Sequence, residues 1–153
     1  MNIKIELAYD EIPAIRTLFA EYTKTLDVDL DFQNYEQELK HLPGKYSLPA
    51  GRLYTAYAED HLAGCVALRQ VDDEICEAKR LYVRPEYRGL KIGQMLMDQV
   101  IRDAAALKYR YMVLDSLETM DNAKALYYKL GFYEIGAYYQ NPLANVSYMR
   151  LDL

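Results

Sequence analysis

Three segments near the middle of the chain, RLYTAYA, LAGCVALRQ and ICEAKRLYV, follow one another with little room between them. The break between the first two is the polar turn Glu59, Asp60 and His61, which reads as a hairpin, and the third segment extends the pair into a meander. Before this block, IKIELA alternates as a first strand, and Ile12, Ile15, Leu18, Phe19 and Tyr22 then recur at helical intervals. A short second helix is expected from Phe32, Tyr35 and Leu39 on one face, with Asp31 as its cap and a stop at Pro43 and Gly44. After the meander, Ile92, Leu96, Val100, Ala104 and Leu107 mark an amphipathic helix, and YMVLDS reads as a short buried strand. Ala123, Leu126, Tyr127 and Leu130 share one face of a last helix, which Gly131 ends, and two closing strands surround the loop YYQNPLAN. This order of strand, two helices, meander, helix, strand, helix and two strands describes an α+β fold around a mixed sheet.

With 153 residues, the chain is expected to form a single domain over residues 1–153, because a second core of ordinary size has no length left to it. Apolar residues at 52% and charged residues at 27% fit a soluble globular protein better than a disordered or fibrous one. The formal net charge of -5 gives no support to a nucleic-acid partner and mildly favours a cationic or neutral substrate. MNIKIELAYDEIP has no basic segment leading into an apolar run, and no long apolar stretch follows, so a cytoplasmic protein with no membrane partner is expected. Sixteen tyrosines and no tryptophan suit half-buried walls, where a ring packs and its hydroxyl finds a partner, as in a wide cleft. Cys65, Cys76, His41 and His61 lack metal-ligand spacing, so no metal is expected. Neither cysteine lies beside a cationic helix start that would activate it, and both read as buried apolar residues.

The stretch RPEYRGLKIGQML joins the end of the meander to the long helix. A helix start carries unpaired backbone N–H groups and the positive end of a dipole, which together suit a phosphate. Gly89 and Gly93 remove side chains that would block close approach, and Arg88 and Lys91 add positive charge. The same glycines could instead serve only the geometry of a strand-to-helix turn. A P-loop is excluded, since Gln94 and Met95 follow Gly93 where a lysine and a hydroxyl would be needed. A dinucleotide-binding unit is excluded as well, since this loop follows a meander in mid-chain and not the first strand of a parallel sheet.

A strand ending L-x-V, a loop R-x-x-G-x-G/A and a later helix A-x-x-L-Y-x-K-L-G-F together resemble the GNAT superfamily of acyl-CoA-dependent N-acyltransferases. Here those pieces are Leu81 to Val83, Arg88 to Gly93 and Ala123 to Phe132. The order of elements is similar to that of the family over essentially the whole chain. LPGKY, GCVALR, KRLYVRP and YYQNP are similar further to a subgroup of uncharacterised bacterial members. The resemblance implies a GNAT-like mixed, mostly antiparallel sheet of about six to seven strands flanked by about four helices. The activity it implies is that of an N-acetyltransferase moving an acetyl group from acetyl-CoA to a primary amine of a small molecule or peptide by direct attack. The alternative is a regulatory module that binds acyl-CoA without catalysis. A homodimer is one assembly open to such a chain.

Residue by residue, the resemblance implies that the main chain of Leu81, Tyr82 and Val83 binds the pantetheine arm. The amides of Arg88, Gly89, Leu90, Lys91, Ile92 and Gly93 hold the pyrophosphate. Lys91 departs from the family, which usually has a small residue there, and Met120 stands where many members have an asparagine that bonds the pantetheine, with Asn122 two positions late. Tyr127 matches the general acid to the sulfur, and its helical face turns it inward while Tyr128 points about 100° away. Glu77 matches the base that helps deprotonate the amine, with an ion pair to Lys79 or Arg69 as its other reading, and strand alternation puts it on one face with Lys79, Leu81 and Val83. The acceptor pocket is expected from Tyr22, Phe32, Tyr35, Tyr138, Tyr139 and Asn141. Arg52, Arg69 and Arg80 are open either to an acceptor carboxylate or to surface bridging.

Overall fold

The computed structural model describes residues 1–26, 34–117, 121–141, 143 and 145–153. Strand β1 (Ile3–Leu7) leads into helices α1 (Ile12–Leu26) and α2 (Tyr35–Lys40). The meander is β2 (Arg52–Ala58), β3 (His61–Gln70) and β4 (Ile75–Val83). Then come α3 (Ile92–Ala106), β5 (Tyr111–Leu117), α4 (Asp121–Leu130), β6 (Tyr133–Ile135) and β7 (Val146–Asp152). The expected order of elements is the observed one. Asp31, Phe32 and Met120 lie outside the described residues.

All seven strands form one sheet in the order β1-β2-β3-β4-β5-β7-β6, antiparallel throughout except for the pair β4 and β5. The β2–β3 turn works because Glu59 and Asp60 both take left-handed backbone angles, φ 47 and 68, whose twist matches that of the strands they join.

One core lies on each face of the sheet. Ile92, Leu96, Met97, Val100 and Ala104 of α3 pack with Tyr127 of α4 onto Val66, Leu68, Ala78 and Leu114. On the other face, Ile15, Leu18 and Phe19 of α1 are fully buried against Leu53, Cys65, Ala67 and Tyr82. Each such side chain contributes about 2 kcal/mol of transfer free energy, and this packing, more than helix propensity, holds α1 and α3 in place.

Two irregularities shape the middle of the sheet. The first is a bulge in β4. Cys65 pairs with Tyr82 and Ala67 with Lys79, so β4 carries one more residue than β3 across this interval, and Arg80 there has φ 61. An extra residue reverses the faces of everything beyond it. Cys76 and Ala78 face α3 before the bulge, and Leu81 and Val83 face it afterwards, whereas Glu77 and Lys79 alternate to the α1 face. The expected common face of Glu77, Lys79, Leu81 and Val83 is therefore corrected: only Lys79 stays with Glu77.

The second irregularity is the parallel pair itself. It has three rungs, Ile75 with Tyr111, Cys76 with Met112 and Glu77 with Val113, and then stops. Beyond it β4 continues along β3 as far as Val83, while β5 continues along β7 as far as Leu117 opposite Val146. The sheet parts between the two strands, and a cleft opens at the parting.

Candidate active site

The cleft is lined from β4 by Lys79 and Leu81, from β5 by Asp115 and Ser116, and from the helices by Tyr22 and Tyr127. Asn141 and Leu143 close it from the segment between β6 and β7. Past the last rung, the edge of β4 that faces β5 pairs with no strand among the described residues, so its backbone groups are open to an extended, amide-bearing chain.

Beside the cleft, β4 runs through a short 3₁₀ turn, Pro85–Tyr87, into the start of α3. The first helical bond of α3 is Met95 N–H to Lys91 O, and no side chain caps this end. The amides of Ile92, Gly93 and Gln94 therefore have no acceptor within the helix. The two glycines of the loop differ in their reasons. Gly89 has φ 84, a conformation that glycine adopts without strain. At Gly93 an added Cβ would meet only Leu126 Cδ2 at 3.6 Å and Val83 Cγ2 at 3.9 Å, ordinary contacts, so neither its backbone angle nor its protein neighbours require a glycine there. Lys91 has φ 63 with its side chain exposed, a left-handed conformation that a residue without a Cβ holds at lower cost. Arg88 donates from Nε to Val83 O at 3.1 Å, tying the loop back to the end of β4. Tyr82 turns its ring to the α1 face, where its hydroxyl meets Glu21 Oε1 at 3.2 Å, so only its main chain faces the loop. Ile92 is 1% exposed and offers only its amide.

Tyr127 is 7% exposed, packs edge-on to Phe132 with ring centroids 5.7 Å apart, and reaches the cleft. Burial foremost, with Tyr22 and Asp115 nearby, holds its phenol well above the ordinary value. Tyr128 on the next helical position is 49% exposed. Glu77 is 2% exposed and does not line the cleft. Its Oε1 accepts from Arg69 Nε at 2.7 Å and its Oε2 from Tyr138 OH at 2.6 Å. Burial pushes its pKa up, but Lys79, Tyr138 and Arg69 outweigh this, and it remains below the usual carboxylate value.

Of the residues expected at the acceptor pocket, Tyr22 and Asn141 line the cleft. Tyr139 donates to Asp115 Oδ2 and accepts from Asn141 Nδ2 at 2.9 Å. Tyr138 and Tyr139 pack on Tyr148, with centroids 5.4 and 5.8 Å away, which holds their loop against the sheet. Tyr35 lies away from the cleft, in the core under Arg80, 5.3 Å from the guanidinium. Arg52, Arg69 and Arg80 are bridged to Asp103, Glu77 and Glu38.

The family model described as Acetyltransferase (GNAT) family matches residues 12–132, a span that holds the β4 and β5 walls of the cleft, the α3 start and Tyr127. The chain belongs to this family. A GNAT relative in Schizosaccharomyces pombe, an uncharacterized N-acetyltransferase, is 42% identical over 94% of this chain and 89% of its own length. An uncharacterized N-acetyltransferase of Dictyostelium discoideum is 35% identical with all of both chains covered. Both are eukaryotic, so the family is supported and the bacterial subgroup expected from the sequence is not. The GNAT fold itself is matched by the PaiA N-acetyltransferase of Thermoplasma acidophilum, solved in complex with coenzyme A, with a TM-score of 0.75 at 19% identity over all of both chains.

Sequence reasoning missed Asp115 and Lys79 as cleft residues. The available signal was a single carboxylate inside the mostly apolar strand YMVLDSL. The separation of β4 from β5, which brings Asp115 to the cleft, has no signature in either strand alone.

Proposed function

We propose that this GNAT protein transfers an acetyl group from acetyl-CoA to a primary amine of a small molecule or peptide, by direct attack of the amine on the thioester. The observation that carries this reading is the parting of β4 and β5 beside the uncapped start of α3, with Tyr127 in the gap. An extended pantetheine arm matches the open edge of β4 at Leu81 to Val83, and a pyrophosphate matches the amides from Gly89 to Gly93, whereas the Arg88 amide expected with them donates to Pro85 O at 3.3 Å. Acetyl-CoA supplies an acyl group already activated as a thioester, and the chain's own residues have to orient it, receive the amine and stabilise the leaving sulfur.

Tyr127 is proposed to hydrogen-bond the leaving thiolate. Its raised pKa keeps the phenol protonated, which favours donating a hydrogen bond over surrendering the proton. Glu77 is proposed to act as an ion-pair partner of Arg69 that also anchors Tyr138, since both of its oxygens are engaged and its pKa is low. Direct transfer is supported by the cysteines: both are buried, and burial raises the thiol pKa of Cys65 and brings that of Cys76 to about 12, far from a nucleophilic thiolate. Tyr22 and Asn141 are proposed to face the acceptor, with Tyr138 and Tyr139 held behind them on Glu77 and Asp115, in one domain over residues 1–153. The net charge of -5 supports a cationic or neutral amine over a nucleic acid.

The test is incubation with labelled acetyl-CoA and a panel of amines, read by mass spectrometry. Coenzyme A is expected to be released only with the right amine present. A stable acetyl-cysteine at Cys65 or Cys76 overturns direct transfer, and tight acetyl-CoA binding without turnover on any amine establishes the non-catalytic alternative.

A further inference from the structure

The carboxylate expected to receive the amine, Glu77, is turned away from the cleft and held at both oxygens. A second carboxylate stands in the cleft. Glu77 pairs with Val113 on the last rung of the β4–β5 ladder, and Asp115, two residues further along β5, falls on the same face just past the parting of the strands. Asp115 lines the cleft together with Tyr127. Its charge reaches both sides of the cleft: it is among the causes that raise Tyr127 and Tyr22, and it opposes the lowering of Lys79, whose pKa burial brings to about 8.

The surroundings also fix this carboxylate in position. Tyr148 stands opposite Asp115 on β7 and supports the Tyr139 ring, Tyr139 donates its hydroxyl to Oδ2, and Asn141 in turn donates to Tyr139. An anion oriented by a chain of donors, inside a cleft that also holds the tyrosine aimed at the sulfur, sits where an attacking amine must pass.

Resting on the transferase reading above, we infer that Asp115 holds the acceptor amine and takes its proton during transfer, with Tyr139 and Asn141 as positioning residues. Asp115 pairs with the acceptor ammonium and takes one N–H proton, which frees the nitrogen lone pair. The nitrogen forms its bond to the thioester carbonyl carbon, becomes cationic again and loses a second N–H proton to water as the C–S bond breaks, and the electron pair leaves on sulfur, hydrogen-bonded by Tyr127. Asp115 releases its proton to water and the thiolate is protonated there, so one ammonium ion and one thioester give one amide, one thiol and one proton, while a nucleophile that arrives unprotonated omits the first step.

The experiment compares two small nucleophiles at high concentration and neutral pH: ethylamine, which is protonated, and methoxyamine, which is not. Enzyme-dependent acetylation is measured for wild type, Asp115→Asn, Glu77→Gln and Lys79→Gln, with coenzyme A calorimetry and thermal melting as checks on folding and cofactor binding. Asp115→Asn is expected to lose about 100-fold on ethylamine but less than about 5-fold on methoxyamine, with coenzyme A affinity kept. Glu77→Gln is expected to fall by one common factor on both. Equal losses on both nucleophiles in Asp115→Asn overturn the inference, as does an Asp115→Asn protein that has lost coenzyme A binding. Discrimination that appears in Glu77→Gln or Lys79→Gln instead moves the proton acceptor to that residue. Wild type that acetylates neither probe nor any amine of the panel removes the transferase reading and this inference with it, a result distinct from wild-type transfer without discrimination.

Discussion

Arg80 sits at the β4 bulge with φ 61 and forms a two-point ion pair with Glu38 of α2, Nε to Oε2 at 3.0 Å and Nη2 to Oε1 at 3.2 Å, with both side chains at most 5% exposed. This pair fastens α2 to the strand whose bulge turns Leu81 and Val83 to the α3 face. Removing one partner of a buried pair leaves the other charge without compensation. Glu38→Gln is expected to cost about 3 kcal/mol of stability, and Arg80→Met with Glu38→Leu together markedly less, measured by urea unfolding. Burial pushes the Glu38 carboxyl up, but Arg80 and Lys45 outweigh it and hold it low. A folded pKa below the unfolded one adds stability that is complete above the ordinary carboxylate value of 4.5 and is lost as the pH falls through the folded pKa. The urea midpoint of wild type should therefore decline more steeply into acid than that of the double variant.

Gly93 tests the phosphate loop. An added Cβ there makes only ordinary contacts, so Gly93→Val is expected to fold with a melting temperature close to wild type, while acetyl-CoA affinity falls at least about 10-fold because the valine occupies the approach to the α3 amides. Gly93→Ala should keep most of the affinity. Arg88→Ala should weaken binding less than Gly93→Val, since Arg88 already donates to Val83 O and the amides remain in place. Equal affinity in wild type and Gly93→Val, by calorimetric titration, would leave the loop as a turn and nothing more.

Lys91 holds a left-handed conformation without the freedom of glycine. Lys91→Gly is expected to raise stability by about 1 kcal/mol, the usual cost of a side chain in that region. Thermal melting of the two proteins without acetyl-CoA measures it. No gain would mean that other contacts of the Lys91 side chain offset the strain.

Tyr127→Phe keeps the ring against Phe132 and removes the hydroxyl. Turnover is expected to fall about 10- to 100-fold with coenzyme A affinity within about 2-fold, the pattern of a group that acts on the leaving sulfur. Tyr128→Phe, on the exposed face, should leave turnover near wild type. Steady-state kinetics with the acceptor found in the panel, joined to calorimetry, separates the two effects.

Much of this protein was legible in its residues taken in order. The meander, the helical faces of α1, α3 and α4, the turn at Glu59 and Asp60 and the loop before α3 all depend on side-chain periods and turn chemistry within a few residues of one another. The inward side of Tyr127 and the solvent side of Tyr128 follow from the same helical period. The two faces of β4 were not legible in this way, because the extra residue at Arg80 is defined only against β3, and one inserted residue exchanges the faces of all that follow. The environments of the carboxylates depended on tertiary structure for the same kind of reason. Glu77 is closed off by Arg69 from the neighbouring strand and by Tyr138 from a loop 61 residues away, while Asp115 reaches the cleft because β5 leaves β4 to follow β7. Local sequence determined which residues could carry the chemistry, and long-range strand pairing decided which of them face it, since exposure and charge environment come from neighbours distant along the chain.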